Sequence, residues 1–214
     1  MKTLFNKFSL IIFIFSVSML HAQDSDKDSR EKFLFGLKVG LNNSNVWNVR
    51  DQTFVATSKY GFAGGIFVGL PFSKTIGFQP ELLISQKGFR ASGVILGLPY
   101  SCINTTTFVD IPLLLQFKPI KFLTILIGPQ YSNMIHKKSV YTYISDTVNI
   151  EQEFNNENIR KNNLGFVFGV DFNIEYFVIS GRYGWDLLNN HGEGKSSTPQ
   201  YNNKWLQITL GLKI

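Results

Sequence analysis

The chain has 214 residues, 44% of them apolar, with one cysteine and a formal charge of +6. That length suits a single domain. One cysteine excludes an internal disulfide framework, and without a Cys or His cluster at ligand spacing a structural zinc site is excluded as well. The basic residues are scattered rather than grouped with stacking aromatics, which argues against a nucleic-acid partner.

Residues 1–22 read as a targeting segment. Lys2 and Lys7 make a basic start, Phe8 to Leu20 is apolar or small throughout, and His21-Ala22 precedes an abrupt change to Gln23-Asp24-Ser25-Asp26-Lys27-Asp28. This is the layout of a secretory signal peptide cleaved after Ala22. Its apolar stretch is shorter than the roughly 20 residues a spanning helix needs, and it contains no cysteine for a lipid anchor. Loss of Lys2 and Lys7 brings the net charge to +4, so the mature chain is only mildly basic. Residues 23–32, with Asp24, Asp26 and Asp28, read as an acidic, solvated linker.

From residue 33 onward the hydrophobic period is two, the signature of strands. The first predicted strand sets Phe33, Phe35, Leu37, Val39 and Leu41 against Leu34, Gly36, Lys38 and Gly40. The second, near 59–70, sets Tyr60, Phe62, Ile66, Val68 and Leu70 against Gly61, Ala63, Gly65 and Gly69, and turns at Pro71-Phe72-Ser73-Lys74. The third carries Ile76, Phe78, Leu82 and Ile84 opposite Gly77, Gln79, Glu81, Ser85 and Lys87. The fourth carries Val109, Ile111, Leu113, Leu115 and Phe117 opposite Asp110, Pro112, Leu114 and Gln116, with a turn at Lys118-Pro119-Ile120-Lys121. Pro112 lacks an N–H and fits a ladder poorly.

The fifth strand exposes Leu123, Ile125, Ile127 and Tyr131 against Thr124, Gly128, Gln130 and Ser132. The sixth pairs Leu164, Phe166, Phe168, Val170 and Phe172 with Gly165, Val167, Gly169 and Asp171, turning around Asn173. The seventh sets Phe177, Ile179, Tyr183 and Trp185 against Ser180, Arg182, Gly184 and Asp186. The eighth sets Leu206, Ile208, Leu210, Leu212 and Ile214 against Gln207, Thr209, Gly211 and Lys213. Long loops at 42–57, 88–105, 133–161 and 188–203 alternate with the short turns. The expected fold is therefore all-β, an eight-stranded antiparallel up-and-down transmembrane β-barrel over residues 33–214, with short turns in the periplasm and long loops outside.

Alternation alone also fits a soluble barrel with the apolar face inward. The glycines decide the orientation, because they fall on the charged face, where a narrow eight-stranded lumen needs small side chains and a solvated surface does not. Lys38, Lys87, Arg182 and Lys213 share that face with Glu81, Asp110, Asp171 and Asp186, so four cations and four anions are expected to pair as an ionic plug. Pairing offsets desolvation without necessarily adding stability. Tyr131, Tyr183 and Trp185 near the loops, and Phe72, Phe117, Phe172 and Phe177 near the turns, read as two interfacial girdles.

The chain resembles the PorT-like outer-membrane β-barrel family of Gram-negative bacteria. The likeness is carried by Gly36-Leu37-Lys38-Val39-Gly40-Leu41-Asn42, by Gly77-Phe78-Gln79-Pro80-Glu81-Leu82-Leu83 with Ser85-Gln86-Lys87-Gly88, and by Val109-Asp110-Ile111-Pro112-Leu113-Leu114. Gly128-Pro129-Gln130-Tyr131 and Arg182-Tyr183 follow in order. The resemblance implies an eight-stranded outer-membrane barrel with no shared catalytic residues, some relatives serving in protein secretion. Ile214 departs from the aromatic last residue that favours barrel assembly.

The functional expectation is a non-enzymatic barrel of the cell outer membrane, with a side-chain-filled lumen, acting through its outer loops in envelope integrity, adhesion or secretion support. No catalytic, metal or cofactor-binding residue and no cofactor is expected. The expected partners are outer-membrane lipid, envelope or secretion proteins, and the insertion machinery during assembly. Two alternatives stand beside it. A lipid-modifying enzyme would draw on His136, beside Lys137, Lys138 and Ser139, or on His191, although neither has a Ser or acid partner at motif spacing. A soluble periplasmic lipocalin-like carrier would use Phe108, Leu114, Leu126 and Val167 to line an apolar pocket. Asp146, Glu151, Glu153 and Glu157 form the best acidic group, read as a hydrated loop, and Cys102 reads as a loop thiol.

Overall fold

Antiparallel pairing runs from strand to strand until the sheet meets itself. The computed structural model describes residues 28–50, 55–95, 98–142, 147–151, 159–192 and 200–214. Within them lie β1 (Leu34–Arg50), β2 (Val55–Pro71), β3 (Ile76–Ile95), β4 (Leu98–Ile120), β5 (Leu123–Thr142), β6 (Thr147–Glu151), β7 (Asn162–Ile174), β8 (Phe177–Asp186) and β9 (Gln200–Lys213). β1 pairs with β9 as well as β2, and β4 with β5 as well as β3, so β1-β2-β3-β4-β5-β7-β8-β9 is a closed eight-membered ring. β6 pairs with the outer end of β5, outside that ring. Reciprocal bonds between Phe35 and Ile214, at 3.0 and 2.8 Å, seal the seam. The expected up-and-down barrel is the fold observed. The signal segment 1–22 and the linker as far as residue 27 lie outside the described residues.

Closure satisfies the ladder edges of the eight-membered ring internally, the condition for strands to cross hydrocarbon. The outward positions of each of the eight ring strands are apolar, glycine or proline over about nine residues, for example Leu206, Ile208, Leu210, Leu212 and Ile214 on β9, all exposed. Nine to eleven tilted residues are roughly what a strand needs to span a bilayer. Phe72, Phe117, Phe172 and Phe177 ring the turn end, joined by Phe122 and Tyr176. Tyr131 and Tyr183 ring the other, joined by Tyr60. Trp185 is half-buried against Phe166 and Tyr183, with ring centroids 5.4 and 5.8 Å away. Among the described residues no helix is long and apolar enough to cross a membrane.

Three of the four expected long loops are corrected by the structure. Pairing of β3 with β4 continues past Ile84↔Val109 to Ile95↔Leu98, so the stretch 88–105 is a hairpin rather than an irregular loop. β1 and β2 leave only residues 51–54 between them, in place of a loop at 42–57. β5 runs on to Thr142 and folds back through β6, within the stretch 133–161 expected to be loop. β4, with 23 residues, has a contour of roughly 75 Å, far more than the bilayer requires. The segment between β8 and β9 is the one whose long connection stands as expected.

The physical reason is that just above the membrane both faces of β4 and β5 are polar. Asn104, Thr106, Lys137 and Ser139 turn inward there, while Thr105, Thr107 and His136 line the other face, so the hydrophobic contrast that marks a strand disappears. Pro112 is accommodated inside β4, where the β3 pairing skips from Pro80↔Leu113 to Leu83↔Asp110. The turn ends are tight. The Ser73 hydroxyl accepts from the backbone N–H groups of Thr75 and Ile76 at 3.3 and 3.1 Å. The turn after β7 centres on Glu175-Tyr176 rather than Asn173, with Glu175 in the left-handed region at φ 45°.

Candidate functional site

The barrel interior is built from alternate residues of all eight wall strands, and its charged groups meet across the lumen. Lys38 on β1 donates to Glu81 on β3 at 2.8 Å. Arg182 on β8 donates through Nη1 to the same carboxylate at 2.9 Å and through Nη2 to Asp171 on β7 at 3.1 Å. Gln79 donates to Glu81 at 2.7 Å and receives a bond from Gln116. One cross-section of the barrel is thus closed by a connected polar layer.

A second layer lies toward the outside. Lys87 Nζ stands 3.1 Å from Asp110, and the Ser85 hydroxyl donates to that carboxylate. The same ammonium sits 3.8 Å from the Trp205 ring centroid and 4.9 Å from that of Phe108. Trp205 packs with Leu114, Leu126 and Val167 in one buried cluster. A methyl at Gly184 would collide with the indole, so the missing side chain at this position makes room for the largest one opposite.

The four-by-four pairing expected from sequence is corrected in two places. Asp186 is held by Asn203, whose side-chain amide donates at 2.6 Å, and not by a cation. Lys213 donates to Asn173 at 2.8 Å, because it stands at the turn end of β9, beyond the layer that holds the acids. Lys38, Lys87 and Arg182 do pair with Glu81, Asp110 and Asp171. Phe67 and Trp205, like Leu83 and Val178, are interior residues that pattern reading passed over. The parity of Phe67 with Gly65 and of Trp205 with Gln207 was the available signal.

Phe108, Leu114, Leu126 and Val167 are all buried inside the barrel. They fill it rather than line a pocket, because the apolar strand faces look outward. His136 is exposed on β5 whereas Ser139 turns inward and accepts a bond from Asn104 at 3.3 Å. Their three-residue separation along a strand puts the two on opposite faces. His191 lies beyond β8, bridged through its backbone to Ile159. Asp146, Glu153 and Glu157 lie outside the described residues, as does the side chain of Glu151.

Cys102 is corrected from a loop thiol to a strand residue. It lies on β4 opposite Tyr141 and is buried with Val46, Phe89, Ala91 and Tyr201. Phe89 and Tyr201 meet edge-on at 5.1 Å. This cluster knits the inner faces of the strand extensions above the girdle. Lys137 faces inward in the same region, and burial pushes its ammonium below the ordinary lysine range. Apolar packing therefore continues beyond the membrane and ties the extensions to the barrel.

A family described as "Outer membrane protein beta-barrel domain" matches residues 21–192. No curated protein matches the chain. Among solved structures it is similar to Ail, the attachment invasion locus protein of Yersinia pestis, in complex with the heparin analogue sucrose octasulfate. The identity is 13%, over 86% of this chain and 99% of that one, with a TM-score of 0.46. Neisserial surface protein A is 12% identical over 84% and 97% of the two chains, with a TM-score of 0.43. OprG from Pseudomonas aeruginosa is 12% identical over 88% and 99%, also with a TM-score of 0.43.

Proposed function

We propose that this chain, which belongs to the outer membrane protein β-barrel domain family and resides in the outer membrane, is a non-enzymatic scaffold that presents paired strand extensions as a recognition surface. The observation that carries the reading is the contrast between its two halves. Within the bilayer the lumen is crossed by the Lys38–Glu81–Arg182–Asp171 network and packed with Trp205 and its neighbours. Beyond it, β3 and β4 remain paired to Ile95↔Leu98. A filled barrel is poorly suited to conduction, whereas long strands stapled to a rigid base hold a surface in place for a partner.

The partner class that fits is another envelope or cell-surface macromolecule, so adhesion, envelope integrity and support of protein secretion are the roles the scaffold serves. The PorT-like motifs around Lys38, Glu81 and Asp110 favour a partner in the secretion machinery. No residue carries a catalytic role in this reading. Assembly is through outer-membrane lipid and the insertion machinery.

Shortening the hairpin tests the reading. Joining Phe89 to Asn104 through Asn-Gly, a two-residue turn suited to antiparallel strands, removes the projecting tip while leaving the bilayer part intact. The shortened protein is expected to retain its shift in gel mobility on boiling and to carry no stable, large conductance. It is also expected to lose complementation of the envelope, adhesion or secretion defect of a deletion strain. Full complementation by a variant shortened in all its extensions would overturn the proposal, as would altered lipid composition in the deletion strain.

A further inference from the structure

The opposite mouth of the barrel carries charges that the plug does not balance. Lys118 and Lys213 both turn toward the interior at the turn end, beside Ser29–Glu31, a short 3₁₀ turn whose Ser29 and Arg30 line the same space. Lys118 is 3% exposed and donates to the Arg30 carbonyl at 3.1 Å. Lys213 donates to Asn173. Neither makes an ion pair among the described residues. Of the nearby carboxylates, Asp171 lines the same space and attracts Lys213 but is ion-paired with Arg182, and Asp28 is paired with Arg30 at 2.9 Å. Lys118 also stands close enough to Lys213 and Arg30 to be repelled by both. Like charges gathered in a partly closed space are costly without a counter-charge.

Between these groups is a cavity of about 30 Å³, lined by Lys118, Lys213, Arg30, Lys121 and Gln116, with Asp171 as its acidic member. Gln116 is buried, and while its amide nitrogen donates to Gln79, its Oε1 has no partner. The space therefore offers several cationic donors and one unused acceptor. That volume accommodates roughly two waters or one small tetrahedral anion.

We propose that this periplasmic mouth is a phosphate site, formed by Lys118 and Lys213 around the unpartnered carbonyl of Gln116. The ligand it fits has acceptor oxygens for the ammonium groups and a donor beside them for Gln116 Oε1. Hydrogen phosphate and phosphate monoesters carry an O–H, and a phospholipid headgroup carries a hydroxyl or amine next to its phosphate. Sulfate has the charge and the oxygens without the donor. The site lies at the other end of the barrel from the recognition surface and does not depend on it.

The test uses the protein folded in zwitterionic detergent in phosphate-free buffer, read by the temperature at which its gel mobility changes and by titration calorimetry. Inorganic phosphate is expected to raise the transition temperature, as any ligand of the folded state does, and to do so more than sulfate at equal ionic strength. Lys118→Gln is expected to weaken phosphate binding by about tenfold to a hundredfold, the loss of one charge-assisted hydrogen bond. Without phosphate that variant is expected to be at least as stable as the parent, because repulsion is relieved. Lys213→Gln, at the rim, gives a second readout independent of burial. Vesicles of phosphatidylcholine with and without phosphatidylglycerol distinguish the sources. Stabilisation by the anionic lipid that abolishes the phosphate effect assigns the site to a headgroup, and an undiminished phosphate effect assigns it to a solute. Equal responses to phosphate and sulfate, or an unchanged response in both lysine variants, would overturn the proposal.

Discussion

Replacing Arg182 by alanine is expected to lower the unfolding free energy of the detergent-folded barrel by about 3–5 kcal/mol, the largest loss from any single charge in the lumen. Among the described residues Arg182 is the one cation paired with both Glu81 and Asp171. Its removal leaves Glu81 with Lys38 and Gln79, and leaves Asp171 facing Gln79 alone, at 3.5 Å. A carboxylate so stranded in a water-poor interior loses far more than the pair had gained. The complementary result separates this from simple loss of packing. Replacing Lys38, Glu81, Asp171 and Arg182 together by apolar residues of similar size is expected to cost less than Arg182→Ala alone, since no charge is left buried. Urea unfolding followed by gel mobility measures both. A single-site loss smaller than that of the fourfold variant would show that the network is held together by something other than compensation.

Trp205→Ala is expected to cost about 3–5 kcal/mol by the same measurement, the usual toll of emptying a buried aromatic site. The indole is 2% exposed, packs on Leu114, Leu126 and Val167, and carries the Lys87 ammonium on its face. Its seat against Gly184 supplies a sharper test. Gly184→Ala alone is expected to destabilise, because the new methyl displaces the ring. In the Trp205→Ala background the same methyl enters vacated space, so its effect is expected to fall to zero or change sign. Such coupling between touching residues is what a double-mutant cycle isolates. Additive effects would place Trp205 away from Gly184.

The fold was legible wherever one strand face met lipid. Leu37, Val39 and Leu41 against Lys38 and Gly40 gave both the strand and its orientation, because hydrocarbon on one side and a cramped polar lumen on the other maximise contrast. Above the girdle that contrast vanishes. Thr105, Thr106 and Thr107 are β-branched residues in a long paired strand, yet with water on one side and a polar interior on the other they carry no period. The interior was half legible. Parity alone places Trp205 with Gln207 and Lys118 with Gln116, but which cation meets which acid depends on height along tilted strands. Lys213 therefore sits with Asn173 rather than with an acid, and Asp186 with Asn203. Cys102 was hidden in the same way, since its cluster joins residues from β1, β3, β4 and β9.

Which way adjacent residues of β9 point separates lumen from lipid face, and quenching by brominated acyl chains reads that directly. Trp205 is retained as the only tryptophan by replacing Trp47 and Trp185 with phenylalanine, and its fluorescence in vesicles is compared with that of a chain carrying tryptophan at Leu206 and phenylalanine at Trp205. The inward indole is expected to be nearly insensitive to bromolipid and its neighbour strongly quenched. Strong quenching of Trp205 with a protected residue at 206 would invert the barrel and contradict the assignment of lumen, lipid face and plug alike.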